Sequence, residues 1–166
     1  MTTAIDIRTA SKDDLPSLIK IFSHPDLKTS TDEARWFVNC YFDYHHLLVA
    51  EISGKIQGAC LWRIEGERYS GLGWIENLWV EERYRKLGLG EKLLMKAVSD
   101  IIVFFEGHGI KPRKIVLTTQ AERADARRLY EKIGLKHVAS IDGMYDPGGH
   151  DMVYMLDLSE WRSRKS

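Results

Sequence analysis

A mixed α/β (α+β) domain is predicted, with a mixed central sheet of about seven strands flanked by four helices. Three observations predict it. Seven short runs carry strand patterning, alternating or continuously apolar between turn signals. Four segments repeat their apolar residues with helical period. No internal repeat, linker or low-complexity stretch interrupts the 166 residues, so residues 1–166 read as one domain with a polar tail from 159 to 166. The element order is β-α-α-β-β-β-α-β-α-β-β.

Ala4 to Arg8 alternates apolar and polar and opens the sheet. Ser11 reads as a helix N-cap, with Asp13 and Asp14 in the first turn, where the helix dipole favours anions. Leu15, Leu18, Ile19 and Phe22 give that helix its apolar face, and His24-Pro25 ends it. Thr31 is expected to cap a second helix bearing Ala34, Phe37, Val38, Tyr41 and Phe42 on one side. Leu47–Ile52 and Ile56–Ile64 form a hairpin around Ser53-Gly54-Lys55. Residues 65–71 are polar and turn-like, and Gly73–Val80 is the fourth strand. From Leu89, the spacing Leu93, Leu94, Ala97, Val98, Ile101, Ile102, Phe105 predicts a helix ending near Gly107. Lys114–Thr119 is a strand. Ala126, Leu129, Tyr130 and Ile133 share one helical face, and Gly134 is the natural stop. Leu135–Ile141 and Met152–Leu158 close the sheet around a Gly/Pro/Asp-rich loop, and the tail from Ser159 is expected to fray.

Charge excludes some partners. Lys plus Arg equals Asp plus Glu at 24 each, so no net field favours nucleic acid or an anionic membrane. The two cysteines, Cys40 and Cys60, each sit in an apolar segment and read as buried free thiols of a reducing compartment. No apolar run approaches the length of a membrane span or of a signal-peptide core, and a cytoplasmic protein is expected.

The stretch RYRKLGLGEKLL, residues 83–94, carries the chemistry. Glycine at the start of a helix costs ~1 kcal/mol relative to alanine, so the bare backbone there has another use. A strand that enters a Gly-rich turn and opens a helix presents free N–H groups and the positive end of the dipole. Arg85, Lys86 and Lys92 add positive charge, and the reading is a pyrophosphate cradle; a plain strand-to-helix turn with solvated bases is the alternative. A Rossmann fingerprint is excluded because its third glycine would fall at Leu93. A P-loop is excluded because Gly90-Glu91-Lys92 stands where Gly-Lys-Ser/Thr is required.

With these motifs in view, the chain resembles the GNAT superfamily of acyl-CoA-dependent N-acyltransferases. IENLWVEERYRKLGLGEKLL is similar to that family's fourth strand, its Arg-x-x-Gly-x-Gly turn at Arg85, Gly88 and Gly90, and the helix beyond. ADARRLYEKIGLK is similar to its later helix, with Leu-Tyr-Glu-Lys-x-Gly over Leu129 to Gly134. The element order matches from end to end. One departure is Arg123, which stands where the family often has Asn seven residues before the tyrosine. The resemblance implies acetyl-CoA as co-substrate and no metal. The amides of Lys86, Leu87, Gly88, Leu89, Gly90 and Glu91, with Lys92 alongside, would hold the pyrophosphate. The pantetheine arm would lie like an added strand on Leu78, Trp79 and Val80, a recognition by backbone.

Acetyl transfer to an amine needs a base or water chain for the ammonium proton, a donor to the developing oxyanion and an acid for the thiolate. The resemblance implies Glu76 for the first, the Val80 N–H for the second and the Tyr130 hydroxyl for the third. Each also has a plain reading: a strand carboxylate paired with a neighbouring arginine for Glu76, and a core tyrosine for Tyr130. The hairpin IDGMYDPGGHDMVYML, residues 141–156, is similar to the closing hairpin of protein N-terminal acetyltransferases and implies Tyr145 as an acceptor-binding residue on a loop mobile until an acceptor arrives. The acceptor is an amine on a small molecule or a peptide, with a homodimer compatible with the family and a non-catalytic acyl-CoA-binding module as the rival function. His45-His46 does not form a metal site by spacing, and His108 reads as a helix-end cap. Trp36, Phe37, Tyr41, Phe42 and Tyr44 read mostly as core, with one or two lining an acceptor site.

Overall fold

A computed structural model describes residues 5–27, 29–67 and 69–163. The strands are β1 (Ile5–Thr9), β2 (His46–Ile52), β3 (Lys55–Ile64), β4 (Leu72–Val80), β5 (Lys114–Gln120), β6 (Lys136–Asp142) and β7 (His150–Asp157). The α-helices are α1 (Leu15–Phe22), α2 (Thr31–Tyr44), α3 (Leu89–Gly107), α4 (Ala124–Ile133) and α5 (Leu158–Ser163). The strands form one seven-stranded sheet in the order β1-β2-β3-β4-β5-β7-β6. β4 and β5 run parallel, whereas β1–β2, β2–β3, β5–β7 and β6–β7 are antiparallel.

Three expectations need correction. A three-residue 3-10 turn, Lys12–Asp14, follows Ser11, and the α-helix starts only at Leu15, beside Pro16. Proline pre-sets φ in a first turn, which explains that start. Ser30, not Thr31, caps α2: its hydroxyl accepts from the Glu33 N–H at 3.2 Å and the Glu33 carboxylate accepts from the Ser30 N–H at 3.0 Å, a reciprocal pair that a Thr31 cap could not form with Glu33. The tail from Ser159 does not simply fray, because residues 158–163 form α5. Leu158 is buried, the Asp157 carboxylate accepts from the Ser159 N–H at 3.0 Å, and Lys136 of β6 pairs with Glu160 at 2.7 Å. A cap and an ion pair hold a helix too short to show a period. Ala4, expected in β1, lies outside the described residues.

The chain forms two compact units. The first takes the described residues up to Trp62 together with Asn77–Ala97. Its core joins Leu18 and Phe22 of α1, Ala34, Val38 and Tyr41 of α2, Leu47 and Val49 of β2, Ala59 and Leu61 of β3, and Trp79 of β4. The β2–β3 turn is made by two left-handed residues, Ser53 at φ 52° and Gly54 at φ 73°, the conformation that matches strand twist in a tight hairpin. The second unit takes Arg63–Glu76 and the chain from Val98. Ile101 and Phe105 of α3, Ile115 and Leu117 of β5, and Tyr154 and Leu156 of β7 are buried. Here β4 pairs with β5 only from Leu72–Lys114 to Ile75–Leu117.

An ion network ties β1 to β2 in the first unit. Arg8 donates to the Asp14 carboxylate at 2.7 and 3.0 Å and to Glu51 at 2.8 Å, and the Ser11 N–H donates to Asp14 at 2.7 Å. The Arg8 guanidinium outweighs burial and lowers the Asp14 carboxyl from 3.8 to about 2. A depressed folded-state pKa gives stability that is present above the unfolded value and lost as pH falls through the folded one. The urea midpoint is therefore expected to drop between about pH 4 and pH 2, and to drop less in Asp14→Asn. Equal slopes in the two proteins would remove Asp14 from the acid limb.

Candidate active site

The Gly-rich turn is built as a left-handed corner. Lys86 has φ 63° and Gly88 has φ 80°. A Cβ added at Gly88 would meet nothing within 4 Å, so the backbone there faces open space. The helical ladder of α3 begins with the Lys92 N–H on the Gly88 carbonyl at 3.1 Å, so the amides ahead of it, Leu87 to Gly90, have no acceptor one turn back in the helix. Lys86, Leu87 and Lys92 are exposed, and Leu89 is buried. Arg85 is exposed too, with its Nε donating to the Val80 carbonyl at 2.9 Å, which pins the turn to the end of β4. The same corner is fixed from below. A Cβ at Gly58 of β3 would lie 2.9 Å from Leu93 and 3.1 Å from the Trp79 carbonyl, so only glycine lets the start of α3 and the end of β4 approach β3 this closely.

Leu78 and Val80 are half-buried, while the Trp79 side chain belongs to the core cluster of the first unit. What Trp79 offers a ligand is mainly its main chain. Glu76 is also half-buried. Its carboxylate accepts from the Arg63 Nε at 3.2 Å, Arg63 also pairs with Glu65, and the guanidinium stands 5.4 Å from the Trp74 ring centroid. Burial pulls the Arg63 pKa down, but the two carboxylates outweigh it and raise it. The plain reading of Glu76, a strand carboxylate paired with a neighbouring arginine, is therefore what the structure shows, and the arginine is Arg63 near the end of the strand that precedes β4.

Tyr130 is 8% exposed on α4, with its ring centroid 5.8 Å from that of Tyr154. The Tyr154 hydroxyl donates to Glu131 at 2.9 Å, and burial followed by that carboxylate raises its pKa. Gly134 ends α4 at φ 108°, as its place in the motif predicts. Arg123 is exposed at the N-cap of α4, and its Nε reaches Gln120 Oε1 at 3.4 Å. Tyr145 is 57% exposed, and its N–H donates to the buried Asp151 carboxylate at 3.3 Å. The loop around it is closed by the Gly143 N–H on the Gly149 carbonyl and the Gly149 N–H on the Asp146 carbonyl, at 2.8 and 2.7 Å.

A cavity of about 420 Å³ opens in the first unit. Phe22, Leu27, Trp36 and Phe37 supply apolar lining, and Thr29, Glu33 and Asn77 supply polar lining. Trp36 is 71% exposed, which corrects its reading as core: Ala34, Val38 and Tyr41 face the core, and Trp36 lies off that face. The Tyr44 side chain lies outside the described residues. Cys60 is buried as expected, but Cys40 is only half-buried; both are free thiols. His46 stacks on Trp62 at 3.7 Å, and the His108 Nδ1 lies 2.7 Å from the Phe104 carbonyl at the end of α3. A second cavity, of about 570 Å³, mixes acids and bases, among them Asp14 and Glu51, which already serve Arg8.

Seven strands in this order, a left-handed Gly corner opening a long helix and a Leu-Tyr-Glu-Lys-x-Gly helix define an acyltransferase class of fold. A family model, Acetyltransferase (GNAT) family, matches residues 13–135, and the chain belongs to that family of acyltransferase enzymes. It is 29% identical over 127 residues to an N-alpha-acetyltransferase of Sulfurisphaera tokodaii, covering 65% of this chain and 71% of that protein. It superposes on the ribosomal-protein-S18-alanine N-acetyltransferase of Escherichia coli with a TM-score of 0.74 at 19% identity, covering 93% of this chain and 94% of that one. It superposes on yncA of Salmonella typhimurium, solved with acetyl-CoA, with a TM-score of 0.71 at 20% identity, covering 94% and 95%. At these identities the two structures establish the fold. Among the described residues, no helix is long and apolar enough to cross a membrane, and no group of three or more His, Cys, Asp or Glu is placed to hold a metal ion.

Proposed function

We propose that the protein is an N-acetyltransferase that moves an acetyl group from acetyl-CoA to a primary amine by direct attack in a ternary complex. The observation that carries this reading is the corner at Lys86–Gly88. Two left-handed residues feed the N-terminus of α3, open space lies over Gly88, and the exposed bases Arg85, Lys86 and Lys92 lie within four residues of it along the chain. Backbone amides and the positive end of a dipole suit a pyrophosphate, and the three bases match its charge. The yncA complex with acetyl-CoA on the same fold supports the choice of ligand. Residues 86–92 would hold the pyrophosphate, and the main chain of Leu78–Val80 would hold the arm. The bound thioester supplies an acetyl carbonyl activated for attack by nitrogen, with a thiolate as leaving group.

The chain's own groups then take proton roles. The Val80 N–H is the donor to the carbonyl, and Tyr130, by its place in the motif, is the acid. Glu76 is assigned to orient the amine or the water that takes its proton. Its pairing with Arg63 keeps the carboxylate oriented. Arg63→Ala is expected to lower kcat about 10-fold with acetyl-CoA Kd unchanged, since a misplaced carboxylate costs positioning; an unchanged kcat would detach Glu76 from the chemistry. The N-alpha-acetyltransferase relative and the hairpin carrying Tyr145 support a peptide N-terminus as acceptor, with small amines as the alternative. The proposed location is the cytoplasm. Thiol release from acetyl-CoA, followed with free-N-terminus peptides, their Nα-blocked twins, polyamines, aminoglycosides and amino acids, tests the reading. Turnover of a free N-terminus ahead of its blocked twin supports it. Tight acetyl-CoA binding with no release from any acceptor would mark a non-catalytic acyl-CoA module.

A further inference from the structure

We infer that the 420 Å³ cavity between α1 and α2 receives an apolar substituent next to the reacting amine, so that the enzyme selects hydrophobic primary amines. The inference rests on the function proposed above and adds the substrate class. One wall is preset. Phe22 and Phe37 meet edge to face at 5.6 Å, and Phe37 packs on Tyr41 at 4.9 Å. This wall needs no reordering when a ligand arrives. The mouth is held by Trp36, 71% exposed on a helix that has a buried side available to it. An indole left in water beside an aromatic wall gains when an apolar group covers both.

The polar lining says which end of the ligand goes where. Asn77 immediately precedes Leu78–Val80, the segment assigned to the thioester arm, so the reacting end of an acceptor belongs at Asn77 and its substituent toward Trp36. Glu33 is the one ionisable lining group among the described residues, and its carboxylate is already held by the Ser30 N–H as the α2 cap. A second carboxylate entering the cavity would meet like charge. A polyamine would bring a further hydrated ammonium into a cavity lined mostly by Phe22, Leu27, Trp36 and Phe37, and that charge must give up water that an apolar group does not hold. The expected order is therefore apolar over neutral polar over acidic or polycationic.

The test measures kcat/KM for acetyl-CoA-dependent acetylation in two arms. One arm uses free-N-terminus peptides that begin with Leu, Phe, Ser or Asp; the other uses phenethylamine and spermidine. The arm with the higher values identifies the source of the amine. In that arm the apolar acceptor is expected to exceed the polar or charged one about 10-fold or more. Trp36→Ala should shrink that ratio to about 3-fold or less without changing acetyl-CoA Kd, and Trp36→Phe should restore most of it. Trp36 is exposed, so the substitution leaves the core intact. Equal rates across substituents, a best rate with spermidine, or Trp36→Ala slowing every acceptor alike would each overturn the inference while leaving acetyl transfer standing. Bound acetyl-CoA with no thiol release from any acceptor would overturn the proposed function and this inference with it.

Discussion

Tyr130→Phe is expected to lower kcat on the order of 100-fold while acetyl-CoA Kd stays within about 2-fold, because help from a positioned acid is worth about that much. The side chain is 8% exposed and its ring sits 5.8 Å from Tyr154, so phenylalanine keeps the packing and removes only the hydroxyl. That separation makes the variant informative. A loss through misfolding would appear in the denaturant midpoint, and a loss through ligand binding would appear in calorimetry. A loss confined to kcat assigns the hydroxyl to the proton transfer. Normal turnover would leave Tyr130 as packing and give the leaving thiolate's proton to water.

Gly88→Val is expected to raise the acetyl-CoA Kd about 10-fold or more, since ~1.4 kcal/mol of lost contact gives that factor. Two causes act together. At φ 80° a β-branched residue is strained, so the corner must reopen to a different path. If the corner holds, the new side chain occupies the open space over the amides. Either way the α3 N–H groups lose their approach to a phosphate. The Gly88 Cβ position clashes with nothing, so the variant should fold. A folded Gly88→Val with unchanged Kd would sink the cradle.

The fold was legible because its patterns are local. Strand and helix limits agree with periodicity to within about two residues wherever a face is consistently apolar, as in α3 from Leu89 to Gly107. The Gly-rich corner was legible because Arg85-x-x-Gly88-x-Gly90 sets glycine at a strand-to-helix turn, and Gly88 takes there a left-handed φ of 80° that side-chain-bearing residues resist. Position of the aromatics on α2 was not. Trp36, Phe37, Tyr41 and Phe42 are similar in hydropathy, and only the packing of Ala34, Val38 and Tyr41 decides that Trp36 is left outside. The Glu76 pairing was legible in kind, as a carboxylate beside an arginine, but not in partner, since 13 residues separate Arg63 from Glu76 and the β3–β4 connection brings them together. The helix α5 escaped because an ion pair from Lys136 to Glu160, across 24 residues, has no sequence period.

The strand order has a consequence for the order of synthesis. β7 leaves the ribosome after both β5 and β6, yet it lies between them, pairing with both over nearly its whole length. The segments of the first unit have all been translated once Ala97 is made. A nascent chain halted before His150 would carry β5 and β6 with open edges facing each other across a missing strand. Exposed edges of this kind recruit other chains. Translation through residue 157 is thus the step that ends the period of greatest aggregation risk, and chains stalled short of it are the ones a chaperone would be expected to hold.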